Sequence, residues 1–294
     1  AEARLRPLPE GDERLEARRL RARDGAILGM RTAPRPPGDD RPAIVLLHAT
    51  LSSGRQLGRL ATLLDGAGRV IAPDRRGSGS SAVPVPVPVA VARHAADVID
   101  LLDALGEPHA VLVGHSFGGV VALEVAARSP DRVRGVVAWE PPWVPLAPEP
   151  DRSRLIGLAT AVEDGRRTDG VAGAARAFLA VVSPGALERL PADRATAILG
   201  EGGGVIADAA MPGLDPAVLA AIAAPVVLVT GDASEPWYAP IADALARRIA
   251  GARRQTVPGG RHLDPVIAPG ALAAIVRSLP SFAGDPPAVP EVRA

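Results

Sequence analysis

The chain of 294 residues has no cysteine, so disulfides, thiolate nucleophiles and Cys-ligated metals are excluded. That absence fits a reducing cytoplasm. Lysine and asparagine are missing too. Without lysine there is no Schiff-base or pyridoxal-lysine chemistry and no Walker phosphate loop, and all basic charge is arginine. Net charge is zero, with 33 basic residues against 33 acidic ones. No long-range field therefore points to nucleic acid or to a membrane surface. No apolar run approaches membrane-spanning length, and no charged-then-apolar leader is present. The sequence opens on Ala1 rather than Met, as processed or trimmed chains do. The five histidines are dispersed with no i,i+4 pair, which argues against a metal site. Aromatics amount to three Phe, three Trp and one Tyr.

Hydrophobic residues make up 47% of the chain, enough for one large core with a subdomain. Residues 1–10 are charged and proline-bearing and read as a loose lead-in. Runs over 15–23 and 26–32, joined at Asp24-Gly25, read as a hairpin. Short apolar strands are then expected over 43–47, 70–72, 110–113, 133–139, 225–229 and 253–257. Helical patterns alternate with them over 58–64, 94–105, 117–127, 241–249 and 271–279. Continuous apolar strands alternating with helices specify an α/β fold, a mostly parallel sheet with helices on both faces. In such sheets function collects at the carboxyl ends of the strands.

The core is expected to span 12–140 and 216–282. Residues 141–215 interrupt it and read as a helical lid subdomain inserted after the strand that follows the 117–127 helix. Within the interruption, Gly202-Gly203-Gly204 reads as a hinge or, more simply, a flexible loop. Residues 82–92 alternate valine or alanine with proline, which excludes helix and removes ladder donors. An extended arm packed near the site mouth is expected there. The proline-rich tail over 283–294 is expected to be disordered.

The most informative stretch runs from Val111 through Gly114-His115-Ser116-Phe117-Gly118 into a helical pattern. A serine hydroxyl is a poor nucleophile unless it is held out from the backbone beside a base and oxyanion donors. A sharp strand-to-helix turn does this, with glycines flanking the serine so that neighbouring backbone can approach. The helix that follows aims its first N–H groups at developing negative charge. Ser116 is the expected nucleophile.

With its other motifs the sequence resembles the α/β-hydrolase fold family. The resemblance covers roughly residues 12–282 and rests on His48-Ala49-Thr50, Asp74-Arg75-Arg76-Gly77-Ser78-Gly79-Ser80, the Ser116 elbow and Gly259-Gly260-Arg261-His262. It implies a triad in the order Ser, acid, His, with His262 as base. His48 would organise the oxyanion loop, and His115 would pack beneath the elbow. The oxyanion hole would be the backbone N–H of Phe117 with that of Ala49 or Thr50; the Thr50 hydroxyl could donate as well or simply cap the turn.

The acid departs from the commonest family pattern. After the strand ending near Thr230, Gly231-Asp232-Ala233-Ser234-Glu235 puts Ser234 where relatives carry Asp. Asp232 is one alternative. Glu140 in Trp139-Glu140-Pro141-Pro142, at the family's second acid position, is the other and is placed first. Five aromatics, Phe117, Trp139, Trp143, Trp237 and Tyr238, fall on these loops. Trp139, Trp143, Trp237 and Tyr238 suggest an apolar pocket wall.

The reading is a cofactor-independent serine hydrolase acting on an ester, thioester or lactone. Its partner would be a small apolar or ring-bearing substrate, and the chain a monomer or homodimer. An Asp nucleophile, as in dehalogenases and epoxide hydrolases of this fold, is disfavoured by Ser116. Two alternatives stand beside it. One is perhydrolase or haloperoxidase-like, carbon–carbon hydrolase or lyase/cyclase chemistry on the same triad; the other is a ligand-binding protein with a vestigial site.

Overall fold

Two short strands, β1 (Glu16–Arg21) and β2 (Ile27–Thr32), pair antiparallel around the Asp24-Gly25 turn and start an eight-stranded sheet. The computed structural model describes residues 15–35, 37–81, 86–182, 185, 187–188, 191–209 and 214–282. The expected lead-in, the tail over 283–294 and residues 82–85 of the proline arm lie outside them.

The remaining strands are β3 (Ala43–Leu47), β4 (Val70–Pro73), β5 (Ala110–His115), β6 (Val133–Trp139), β7 (Val226–Gly231) and β8 (Arg253–Val257). Their order is β1-β2-β4-β3-β5-β6-β7-β8, and every pairing from β4 to β8 is parallel. The central strands are unbroken apolar runs because both faces are covered. Val45, Leu47, Leu112, Val136 and Ala138 point to one face, under α2 (Val91–Ala104), α3 (Phe117–Arg128) and α7 (Tyr238–Ala246). Ile44, Leu46, Val111, Val113 and Val137 point to the other, under α1 (Gly58–Leu63), α8 (Asp264–Ile267) and α9 (Gly270–Arg277). The period of two along each strand thus assigns alternate residues to two separate core layers. At the edges the pattern changes: β1 is EARRLR and β8 is RRQTV, both largely exposed.

Between β6 and β7 the described residues are largely helical. They form α4 (Asp151–Val182), α5 (Ala192–Gly200) and α6 (Gly202–Asp208). α4 breaks at Asp169 and Gly170, where the backbone leaves helical geometry and the chain folds back. Leu158, Val162, Ala174, Val205 and Ile206 form a small core of their own, against which Leu51 packs.

Two expectations need correction. The glycine triplet is no flexible loop but the first turn of α6. A Cβ at Gly202 would lie 1.8 Å from Val171 O, and one at Gly204 would lie 2.4 Å from Ser78 Oγ. These glycines permit close packing. The helix expected over 241–249 begins three residues earlier, at Tyr238, because Pro240 is tolerated in a first turn where its missing N–H is not needed. Of the proline arm's described part, Val89 N–H donates to Ala207 O on α6 (2.9 Å), so that part packs on the insertion.

Candidate active site

Ser116 occupies the turn between β5 and α3 with φ 53° and ψ −122°, a conformation that costs a non-glycine residue about 1–3 kcal/mol. The flanking glycines make it possible. A Cβ at Gly114 would sit 2.4 Å from Gly118 O, and one at Gly118 would sit 2.1 Å from Leu47 O. The turn is pinned by Ser116 N–H donating to Trp139 O (2.8 Å), while Ser116 O accepts from Gly119 N (2.8 Å). The other non-glycine residues with positive φ among those described are Leu51 and Glu140. All of this backbone strain falls on loops at the carboxyl ends of β3, β5 and β6.

Glu140 follows β6 and is completely buried. Its backbone N–H donates to Val229 O, Oε1 accepts from Gly231 N–H (2.8 Å), and Oε2 lies 2.7 Å from His262 Nδ1. A carboxylate accepts only, so Nδ1 carries the proton and Nε2 presents its lone pair. Asp232 does something else: its Oδ1 accepts from Gly259 N–H (2.6 Å) and so ties down the loop that carries His262. The same loop is clamped where Gly231 meets Gly260; a Cβ at Gly231 would lie 2.1 Å from Gly260 O. Of the two candidate acids, the structure brings Glu140 to the imidazole and leaves Asp232 one loop away.

His262 Nε2 faces the Tyr238 phenol at 3.3 Å, and the two rings stack with centroids 4.7 Å apart. No hydrogen bond links Ser116 Oγ to His262. Burial, and then the negative charge of Glu140, raise the Tyr238 pKa far above its ordinary value, so the phenol is neutral and donates to Nε2. His115 lies beneath, its ring 4.9 Å from that of His262. Burial, followed by the neighbouring His262, depresses its pKa well below the usual histidine range and keeps it neutral.

On the opposite side, His48 is buried and likewise held neutral by desolvation, then by the Arg75 charge. Its Nε2 accepts from Arg75 N–H (2.9 Å), so Nδ1 is the protonated nitrogen and donates to Ala49 O (2.8 Å). Among the described residues, the backbone N–H groups of Phe117, Ala49 and Thr50 have no acceptor in the fold. The Thr50 hydroxyl is not an extra donor for a ligand: it is committed to Asp208 Oδ2 at 2.7 Å.

The aromatic wall is only half present. Trp139 and Trp143 expose no surface and are core residues, Trp139 on the face away from α3. Being large and set in or just after a central strand, they fill the layers rather than the cleft. Tyr238 does border His262, Trp237 packs on Tyr238 with ring centroids 5.6 Å apart, and the Arg154 guanidinium of α4 rests 5.0 Å from the Trp237 ring. The space beside the site is instead a small apolar cavity lined by Thr50, Val144, Leu155, Leu158, Val162 and Phe178. Among the described residues, no group of three or more His, Asp or Glu side chains could hold a metal ion. No described helix is long and apolar enough to cross a membrane.

A strained serine after a central parallel strand, a histidine on a late loop and a carboxylate on that histidine form one constellation, and the sequence pattern of the alpha/beta hydrolase family matches residues 44–275. The chain belongs to the alpha/beta hydrolase family. This hydrolase-family chain superposes on the crystal structure of a hydrolase from Pseudomonas aeruginosa PA01 with TM-score 0.73 and 28% identity, covering 92% of this chain and 98% of that one. Curated relatives include epoxide hydrolase B of Mycobacterium tuberculosis (strain ATCC 25618 / H37Rv), 38% identical over 113 residues, 38% of this chain and 32% of that protein. Another is 2-hydroxymuconate semialdehyde hydrolase of Pseudomonas putida, 46% identical over 69 residues, 24% of this chain and 25% of that protein. The matches span only about a quarter to a third of these relatives' lengths.

Sequence reasoning missed Asp208. Only the glycine triplet just before it on α6 signalled that this helix must approach other backbone closely.

Proposed function

We propose that this chain is a serine hydrolase that cleaves a carboxylic ester, thioester or lactone through an acyl-enzyme on Ser116. The observation that carries the reading is the pairing of the strained Ser116 elbow with His262 held by Glu140 through Nδ1. Substrate entry displaces the Tyr238 phenol from Nε2. The imidazole then takes the Ser116 proton as Oγ attacks the carbonyl carbon, and buried Glu140 stabilises the imidazolium and keeps its tautomer. The oxyanion forms against the N–H groups of Phe117 and of Ala49 or Thr50. Collapse expels the alcohol, thiol or ring oxygen with the proton from Nε2. Water, activated by the same nitrogen, then releases the acid and frees Ser116. No cofactor enters the scheme.

The substrate we infer is small and apolar in its acyl part, since aliphatic side chains of α4 line the cavity beside Thr50. In this reading α4–α6 act as a lid. Serine at position 116 argues against a carboxylate nucleophile. The Tyr238–Nε2 contact favours the second reading, a ligand-binding protein whose base is parked.

Intact-mass labelling with a fluorophosphonate separates the two. A single adduct on wild type, absent in Ser116→Ala, with turnover of short p-nitrophenyl esters, is the expected result. Stoichiometric labelling without turnover would favour the binding role, and no labelling of folded protein would sink the hydrolase reading.

A further inference from the structure

Arg75 and Asp208 form a buried ion pair that joins the family loop after β4 to the last residue of α6. Both guanidinium Nη atoms contact the carboxylate, one of them at 2.9 Å to Oδ2, and neither residue exposes more than 5% of its surface. Such a pair is a weak device for stability, because desolvating two charges offsets most of their attraction; apolar replacements of similar volume are often neutral or stabilising. Its presence needs another account.

The account lies in what the pair holds. Arg75 Nε donates to His48 O at 3.1 Å, and Asp208 Oδ2 also takes the Thr50 hydroxyl. Arg75 N–H fixes the His48 ring, whose Nδ1–H holds Ala49 O. A trans peptide is planar, with its C=O and N–H pointing in opposite directions. Fixing His48 C=O therefore aims the Ala49 N–H, and fixing Ala49 C=O aims the Thr50 N–H. These are two of the three donors without an acceptor. The guanidinium also rests 4.7 Å from the centroid of the Phe117 ring, beside the third donor.

Asp208 reaches Arg75 only because α6 is pressed against the loop. A Cβ at Gly203 would lie 2.8 Å from Gly77 O, and one at Gly77 would lie 2.7 Å from Gly203 O. The triplet and the pair are parts of one contact.

We propose that Arg75 and Asp208 are a positioning pair which transmits the seating of the helical insertion to the oxyanion donors of Ala49 and Thr50. This rests on the serine-hydrolase reading. The small cavity between α4, α6 and Thr50 borders the same contact, so a substrate group that widens it would move the insertion and the oxyanion donors together.

The test replaces the pair by apolar side chains, Arg75→Met with Asp208→Leu. It measures melting temperature, fluorophosphonate labelling rate, and kcat and KM on a short p-nitrophenyl ester. Removing one oxyanion donor costs about 10²–10³ in kcat; misaiming donors without removing them is expected to lower kcat and the labelling rate about 10- to 100-fold. KM should move less than about 3-fold, and the melting temperature should hold or rise. Asp208→Asn keeps two acceptor lone pairs for Arg75 and Thr50 and should restore part of the rate. If the double variant does not fold, Gly203→Ala carries the test alone, since its added Cβ wedges α6 from Gly77 and should give the same kcat loss. A folded variant of either kind with wild-type labelling rate and kcat would overturn the proposal. A wild type that does not label at all overturns the hydrolase reading itself, and this inference with it.

Discussion

The two halves of the site are anchored differently. Glu140 and His262 are held by β7, α7 and the loops beside them: Val229 and Gly231 of β7 fix Glu140, the Gly231–Gly260 contact, Asp232 and Tyr238 fix the His262 loop, and no described residue of α4–α6 hydrogen-bonds to either. The Ala49–Thr50 loop is instead tied through Thr50 and Arg75 to Asp208, the last residue of α6, on the insertion between β6 and β7. Proton transfer tolerates little movement of base against acid, and a rigid sheet supplies that constancy. The oxyanion side borders the insertion rather than the sheet. Mechanism is thus kept in the core, while fit is reported from outside it.

Breaking the sheet-held half should cost most. Glu140→Gln removes the carboxylate that sets the tautomer and is expected to lower kcat about 10³–10⁴-fold, by analogy with triad acids generally. Asp232→Asn, measured in the same ester assay, should lose less than about 10-fold, because it weakens only a loop anchor. A reversed order would make Asp232 the acid. Gly231→Ala forces its Cβ against Gly260 O and displaces the His262 loop; about 100-fold loss of kcat is expected, since an ångström of misplacement costs that much.

Acid tests both halves together. His48, His94 and His115 are buried and their pKa values lie well below the ordinary 6.5. The unfolded chain therefore binds more protons below about pH 6.5, so stability is full above that pH and falls as pH drops from there toward the folded values. Each such histidine contributes a slope of up to about 1.4 kcal/mol per pH unit, tenfold in the folding equilibrium. Urea unfolding of His94→Gln at pH 7 and pH 5.5 should show a shallower loss than wild type. An equal loss would mean that His94 is protonated in the fold. The smallest effect is expected from Tyr238→Phe: freeing Nε2 should raise the labelling rate about 2- to 5-fold, as the net worth of one neutral hydrogen bond allows. A fall in rate would instead give the phenol a part in substrate binding.

Strand runs, the Ser116 elbow and the His262 loop were legible because each has a local cause: apolar runs between breakers, glycines at a turn that needs close backbone, and a loop after the last strand. The acid could not be read to one residue, since Glu140 and Asp232 both follow parallel strands and only the lateral spacing of β6, β7 and β8 decides which reaches His262. The tryptophans misled for a similar reason. Position at a strand end does not say which face a side chain takes, and Trp139 falls on the far layer by the period of two. Asp208 carried no local signal because its partners, Thr50 and Arg75, are more than a hundred residues away.

The sheet ends on arginine at both margins, Arg18, Arg19 and Arg21 on β1 and Arg253 and Arg254 on β8. An open margin is a template on which another chain can crystallise a further strand, and positive side chains there repel a second copy of the same edge. Most proteins entrust this guard partly to lysine, whose charge can be removed by acetylation or by high pH. A guanidinium keeps its charge at every pH a cell meets. In a chain without lysine, resistance to edge-on aggregation is therefore expected to be indifferent to both.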